Sequence, residues 1–148
     1  MVIEKRFMEA ALCEAQAAAE ADETPVGAVV VCGDEIIARA HNLVETLHDP
    51  TAHAEMLALK QAAELKGCRE LSDCVLYVTM EPCPMCAGAC LLLRIGAVAF
   101  GAYDSTCGAF GSKFDIGSGA AGRVIPVIGG IMDEVCAALL KDFFKDKR

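Results

Sequence analysis

The segment that decides the fold is residues 74–86, with the sequence CVLYVTMEPCPMC. Its first part, Cys74 to Met80, is rich in β-branched and other apolar residues and predicts a strand. Pro82 ends the strand, because proline cannot donate a hydrogen bond to a sheet ladder. Residues 83–93 are almost wholly apolar and predict a short helix, which we expect to be buried for that reason.

Strands and helices alternate on both sides of this segment. Before it, the patterns predict an amphipathic helix over 3–20, a hairpin of Gly27 to Cys32 and Glu35 to Ala40, a polar loop over 41–52, and a helix from about 53 to 66 that Thr51 caps and Gly67 closes. After it come a strand from Ile95 to Gly101, a glycine-rich loop, an edge strand from Arg123 to Ile128, and a helix from about 132 to 146. This order predicts an α/β fold with three layers, α-β-α, as a single domain over residues 1–148.

The amino-acid composition limits the classes of protein to which this chain can belong. Counting glycine and leaving out tyrosine, apolar residues make up roughly 63% of the chain, against about 45–50% in typical globular domains. This excess excludes disorder and favours a buried subunit interface. The longest apolar run, Ile95 to Tyr103, is too short to span a membrane, and charged residues interrupt the N-terminal helix where an export signal would be apolar. We therefore expect a cytoplasmic protein.

The net charge of −8 repels phosphate backbones, so a nucleic-acid partner would need a local basic patch. Nine cysteines in a chain with no visible export signal predict reduced thiols, of which some hold metal. We expect four of them to be core residues, Cys13, Cys32, Cys74 and Cys136, and Cys107 to be exposed.

Two short motifs at the starts of predicted helices suggest a metal site. Cys83 and Cys86 lie three residues apart on a first turn, where both sulfurs can reach one metal, and His53 would be the third ligand. Three protein ligands leave a tetrahedral zinc with one open position, as in catalytic sites. Glu55 is free to handle protons on a water there. We expect about one zinc ion per chain.

Other interpretations of the same residues stay open. A Cys-x-x-Cys pair alone is often a redox pair or a packing feature. Cys90 lies one turn beyond Cys86 and could close the metal as a fourth ligand. The protein would then be a non-catalytic zinc-binding module, in which Glu55 has no role.

Taken together, the motifs His-x-Glu and Pro-Cys-x-x-Cys match the signature of the zinc-dependent nucleobase deaminases. The chain is similar to the bacterial tRNA-specific adenosine deaminases along nearly its whole length. The stretches that carry the resemblance are Thr24 to Ala28, His41-Asn42, His48 to Glu55, Leu76 to Cys83, Met85 to Ala89, Arg94 to Gly96, Phe100 to Ala102, and Cys136 to Phe144. The resemblance implies the cytidine deaminase fold with a central five-stranded mixed sheet, a homodimer, and conversion of adenosine to inosine at the wobble position of a tRNA anticodon.

The resemblance also implies roles for individual residues. His53, Cys83 and Cys86 would hold zinc, and Glu55 would shuttle protons. Three further groups would contact the substrate: the Asn42 side chain and the Ala54 backbone N–H would bind the target base, and Asp104 would bind a ribose. Asn42 could instead be an ordinary turn residue, and Asp104 could simply start the loop turn. We expect His41 and His48 to be hydrogen-bonding loop residues and not ligands.

Contacts with the tRNA anticodon stem-loop are expected at the C-terminal helix. Phe143 and Phe144 could stack on bases, and Lys145, with Lys141, Lys147 and Arg148, could contact phosphates. Equally, basic residues complement a helix C-terminus, and Phe143 fits the core face. The family commonly has a basic residue after Asp104, but this chain has Ser105-Thr106-Cys107. That departure favours the rival activity, deamination of a free base or nucleoside such as guanine or cytosine.

Overall fold

The computed structural model describes residues 2–147, which form one five-stranded sheet with helices on both faces. The elements in chain order are α1 (Lys5–Glu20), β1 (Gly27–Cys32), β2 (Glu35–His41), α2 (Val44–Leu47), α3 (Ala54–Lys66), β3 (Cys74–Met80), α4 (Pro84–Leu92), β4 (Ala97–Ala102), β5 (Val127–Ile128) and α5 (Asp133–Lys145). No helix in this part of the chain is long and apolar enough to cross a bilayer.

The sheet has the strand order β2-β1-β3-β4-β5 and is mixed. Strand β1 runs antiparallel to both β2 and β3, whereas β3, β4 and β5 run parallel to one another. Parallel strands need crossover connections, and α4 supplies the crossover between β3 and β4. The start of β1 and the ends of β3 and β4 therefore meet at one edge of the sheet, where the candidate site lies.

Each face of the sheet has its own apolar core. On one face, residues of β1 to β4 pack against α3 and α4, with Val30, Leu76 and Leu59 fully or almost fully buried. On the other face, Val29 and Tyr77 pack against α1 and α5. Because alternate side chains of a strand point to opposite faces, β1 is apolar along its whole length. The prediction of a three-layer α-β-α fold around a five-stranded mixed sheet is confirmed.

Three details differ from the predictions. The loop over 41–52 contains the short helix α2, and β5 is a pair of residues and not a strand from Arg123. His53, not Thr51, is the N-cap residue of α3, because the Thr51 hydroxyl donates to the Asp49 carboxylate. Gly67 ends α3 in the left-handed conformation as predicted.

Helix α4 is less buried than its apolar sequence predicts. Cys86, Ala87 and Cys90 face the core, but Leu92 is 84% exposed and Met85 is only half-buried. The prediction of a fully buried helix was wrong for the single chain, since only one side of α4 lies against the sheet and α3. An apolar surface of this kind is typical of an interaction site.

The cysteine predictions were partly right. Cys74 and Cys136 are buried and Cys107 is exposed, as expected. Cys13 is exposed because it lies off the stripe of α1 that faces the sheet, and Cys32 is only half-buried at the end of β1. Cys68 is exposed as well.

Candidate active site

The N-termini of α3 and α4 converge at the edge of the sheet where β1 starts and β3 and β4 end. His53 and Cys83 are the N-cap residues of α3 and α4, and neither side chain caps its own helix. Both side chains are therefore free to turn toward each other. Cys86 lies in the first turn of α4, preceded by Pro84 at the first helical position, where proline needs no hydrogen-bonding partner.

The three candidate ligand atoms have the spacing that zinc requires. The Nδ1 atom of His53 lies 3.6 Å from the Sγ atom of Cys83 and 3.5 Å from that of Cys86. A tetrahedral zinc with ordinary Zn–S and Zn–N bonds separates nitrogen from sulfur by about 3.6 Å. All three donor atoms lie within 4.8 Å of one another. The side chains fit a zinc ion without rearrangement of the backbone.

Cys90 is not part of this cluster. It is fully buried in the core between α4 and the sheet, and burial raises the pKa of its thiol. The cluster within 4.8 Å contains only His53, Cys83 and Cys86. A zinc closed by four protein ligands is therefore not supported, and the three-ligand set leaves one position open for a water or a substrate.

The pKa values of the two thiols in the cluster shift in opposite directions. Hydrogen bonds with Cys86 and His53 outweigh the effect of burial and together lower the pKa of Cys83 to about 4. The hydrogen bond between the two thiols raises the pKa of Cys86, and so does its burial. The hydrogen bond with Cys83 also raises the pKa of His53. The lowered pKa of Cys83 favours its thiolate, the form of cysteine that binds metals.

Glu55 lies beside the cluster, in the first turn of α3. Its side chain is buried, with 4% exposure, and desolvation raises its pKa. A carboxyl group with a raised pKa can both take and return a proton near neutral pH. The residue faces the same cavity as His53 and Cys83.

The cavity has a volume of about 280 Å³ and collects most of the predicted site residues. Its lining consists of Thr24, Val26, Asn42, Val44, Glu45, His53, Ala54, Glu55, Met80, Glu81, Cys83, Asp104 and Cys107. Asn42, Ala54 and Asp104 were predicted to contact the substrate, and all three line the cavity. The N–H of Ala54 is in the first turn of α3 and has no acceptor within the helix.

Asp104 lines the cavity and also stabilises the turn that follows it in the chain. Its Oδ1 atom accepts hydrogen bonds from the Thr106 N–H and hydroxyl at 3.0 and 2.7 Å, and from the Cys107 N–H at 3.3 Å. These bonds form the turn that the alternative interpretation predicts. His41 is a hydrogen-bonding residue as expected, since its Nδ1 atom lies 2.9 Å from the Glu14 carboxylate.

The C-terminal residues lie next to the cavity and not in it. Phe143, Phe144 and Lys147 line a second hollow, which shares Thr24 and Glu45 with the cavity wall. Phe144 is 49% exposed and available for contacts, whereas Phe143 is half-buried. The Lys147 ammonium pairs with Asp22. Lys145 is exposed and outside the lining of both hollows, and Arg148 lies outside the described residues.

A buried carboxylate that no sequence motif predicted, Glu23, supports the cavity. It is fully buried and accepts four hydrogen bonds. Its Oε1 atom accepts from Asn42 Nδ2 at 3.3 Å and from the Glu45 N–H at 3.0 Å, and its Oε2 atom accepts from the Thr46 N–H and hydroxyl, each at 2.6 Å. Burial opposes ionisation, but the bonds from Thr46 and Glu45 outweigh it and the pKa of Glu23 is lowered. Glu23 therefore links Asn42 to the start of α2.

A second buried carboxylate, Glu81, holds the opposite wall in the same way. It accepts hydrogen bonds from the backbone N–H groups of Asp104, Phe110 and Ser112, each at 3.1 Å. Gly108 allows this approach, because a Cβ atom there would lie 2.4 Å from the Glu81 carboxyl carbon. Glu81 thereby fixes the loop after β4 against the cavity.

Comparison with known proteins assigns the family. Residues 1–102 match the family described as the cytidine and deoxycytidylate deaminase zinc-binding region. The chain is 42% identical over 149 residues to the tRNA-specific adenosine deaminase of Bacillus subtilis, covering 100% of this chain and 92% of the relative.

Two solved structures share the fold. One comes from a study of A-to-I editing by tRNA:A34 deaminases at the wobble position of transfer RNA, with a TM-score of 0.89, 40% identity, and coverage of 93% of this chain and 100% of that chain. The other is a guanine deaminase from Bacillus subtilis, with a TM-score of 0.67, 38% identity, and coverage of 84% and 83%. The chain belongs to the zinc-dependent cytidine and deoxycytidylate deaminase family, in the part of it that includes the tRNA-specific adenosine deaminases.

Proposed function

We propose that this protein is a zinc hydrolase that converts adenosine to inosine at the wobble position of a tRNA anticodon. The observation that carries the proposal is the set of three donor atoms at tetrahedral spacing, open to a cavity that also contains a buried carboxylate. The whole-length similarity to a tRNA-specific adenosine deaminase selects the substrate from among the activities of the family.

In this proposal His53, Cys83 and Cys86 hold the zinc ion. Zinc bound by three protein ligands supplies Lewis-acid chemistry and makes hydroxide available near neutral pH. The Glu55 carboxylate takes one proton from the attacking water and delivers it to N1 of adenine. It then takes the water's second proton from the new C6 hydroxyl and delivers it to the amino group, which leaves as ammonia. Its buried position and raised pKa suit both transfers.

Asn42 and its partner Glu23 orient the base. A carboxylate can only accept hydrogen bonds, so the amide of Asn42 must present its NH₂ group to Glu23. The carbonyl oxygen of Asn42 is then left to accept a hydrogen bond from the base. The Ala54 N–H offers a donor in the same cavity. In this proposal Asp104, whose backbone N–H donates to Glu81, contacts a ribose.

An unpaired anticodon loop suits this cavity. The target adenine must leave its stack to reach Glu55, and this costs least in a loop. Phe143 and Phe144 line the second hollow and, with the exposed Lys145, would contact nucleotides flanking the target. With a net charge of −8, the protein depends on few phosphate contacts, which predicts a weak salt dependence of binding.

The roles of ligand and proton shuttle are separable by mutation. Cys83→Ala should lose most of the bound zinc, because one of three ligands is gone. Glu55→Ala should keep about one zinc per chain but lose turnover by roughly 100- to 10,000-fold. Metal analysis and inosine formation measure the two effects. Full zinc occupancy in Cys83→Ala, or comparable activity in Glu55→Ala, would contradict the assignment.

A direct comparison of candidate substrates tests the tRNA assignment. An anticodon stem-loop with adenosine at the wobble position should be deaminated, whereas free adenosine, guanine and cytidine should react slowly or not at all. Mass spectrometry of the products measures this. Replacing Lys145, Lys147 and Arg148 together by Ala should weaken stem-loop turnover and leave zinc content unchanged. If a free base reacts and the stem-loop does not, the chemistry stands but the tRNA assignment is wrong.

Because Glu23 accepts a hydrogen bond from Asn42, we expect a neutral residue at position 23 to lower the activity. Glu23→Gln replaces one accepting oxygen by a donor, which leaves buried N–H groups unpaired and frees Asn42 to turn. We expect kcat/KM on the stem-loop to fall roughly 10- to 100-fold at unchanged zinc content. The exposed Glu20→Gln is the matched control. In an Asn42→Ala background the Glu23→Gln change should have little further effect; a full additional loss there would show that Glu23 does not act through Asn42.

We also propose a homodimer that buries the outer face of α4. Light scattering at micromolar concentration should give twice the chain mass of 15.6 kDa. Leu92→Lys places a charge on the most exposed apolar residue of α4 and should shift the protein toward monomer. Leu65→Lys, at a leucine of α3 that is 67% exposed, should not. A monomeric wild type, or dissociation by Leu65→Lys alone, would exclude this interface.

The single domain and the cytoplasmic location stay predictions.

A further inference from the structure

A second cysteine cluster lies at the end of the sheet remote from the cavity. Cys32 is the last residue of β1 and Cys74 is the first of β3, and the two are directly opposite in the antiparallel register. Their sulfurs and a carboxylate oxygen of Asp73 all lie within 4.8 Å of one another. Each sulfur is 3.5 Å from one of the two Asp73 oxygens.

A cation already lies beside this cluster, and its positive charge disfavours the binding of a metal ion. The Lys66 ammonium, from the last turn of α3, pairs with Asp73 and lies 3.8 Å from the Cys32 sulfur. The hydrogen bond from Lys66 lowers the pKa of Asp73 to about 2. A metal ion would have to displace Lys66 to use the carboxylate. A disulfide between the two thiols, by contrast, needs no third ligand from the protein, only an oxidant that takes up two electrons.

The register of the strands suits a disulfide between them. Residues directly opposite in an antiparallel pair have Cα atoms about 4.5 or 5.5 Å apart, and disulfides usually join Cα atoms about 4.4–6.8 Å apart. Opposite residues also point to the same face of the sheet. Rotation of the side chains can therefore bring the sulfurs together without a shift of β1 or β3.

We infer that Cys32 and Cys74 form a reversible disulfide that joins β1 to β3 when the protein meets a small disulfide of the glutathione type. Cys32 reacts first because it is half-buried, whereas Cys74 is fully buried and burial raises the pKa of its thiol. The Cys32 thiolate attacks the reagent, forming a mixed disulfide and releasing one thiol. The Cys74 thiolate then attacks the Cys32 sulfur and releases the second thiol. The protein loses two protons and two electrons, and the reagent gains them.

The disulfide would stabilise the fold and leave the cavity unchanged. It closes the chain between residues 32 and 74, which restricts the unfolded state. The cavity is formed at the opposite ends of the same two strands, by Val26 just before β1 and by Met80 at the end of β3. Oxidation at Cys32 and Cys74 should therefore act on stability and not on the zinc ligands.

The test uses the zinc-loaded, full-length protein treated with oxidised glutathione. Free thiols are then blocked with N-ethylmaleimide, and peptide mass spectrometry of the unreduced digest identifies linked cysteines. We expect a peptide pair joined through Cys32 and Cys74, a rise in Tm of roughly 5–10 °C, and a return to the starting Tm on reduction. Zinc content should stay constant throughout.

Matched variants separate this pair from the other thiols. Cys32→Ser should abolish the rise in Tm, while Cys13→Ser, at an exposed cysteine of α1, should retain it. Glutathione left on Cys32 with no link to Cys74, a link through Cys83 or Cys86 with loss of zinc, or a Tm that does not rise would each overturn the inference. A second zinc ion per chain that protects Cys32 and Cys74 from the reagent would overturn it in favour of a metal site.

Discussion

The meeting of two helix starts at one edge of the sheet is the constraint on which the site depends. His53 and Cys83 are both N-cap residues with free side chains, so the convergence of α3 and α4 brings imidazole and thiol within 3.6 Å. The parallel arrangement of β3 and β4 requires α4 to begin at that edge, immediately after β3. The metal cluster is therefore a consequence of the topology, and the positive ends of two helix dipoles favour its thiolate.

Two buried carboxylates build the walls around that cluster. Glu23 and Glu81 accept four hydrogen bonds each, from groups far away in the sequence. A buried charge is tolerated only when its oxygens are satisfied, so each carboxylate orders the loop that supplies its donors. Glu23 orders α2 and Asn42, and Glu81 orders the loop that contains Asp104. Hydrogen bonds to buried carboxylates therefore support the cavity walls in addition to apolar packing.

The charge distribution and the apolar surface favour particular partners. A net charge of −8 gives no general attraction for RNA, so the proposed recognition of RNA would depend on the few cations and aromatic rings near the second hollow. Leu92 and its neighbours on α4 leave an apolar face that water disfavours. A second chain on that face would account for the apolar excess in the composition.

Local sequence by itself determined most of the elements, the layer architecture and the metal-binding motif. Periodicity predicted α1 and α5, capping signals predicted α3, and Gly33-Asp34 and Gly67 marked turns. His53, Glu55, Cys83 and Cys86 stood out as two short motifs whose chemistry depends on their spacing. Only the tertiary structure decided that Cys90 points into the core, that one side of α4 is exposed, and that Cys32 faces Cys74 across two strands. Glu23 and Glu81 carried no local signal, because a buried carboxylate differs from a surface one only in its distant partners. Contacts between residues far apart in the chain depend on how the sheet folds, and no pattern within a short window records them.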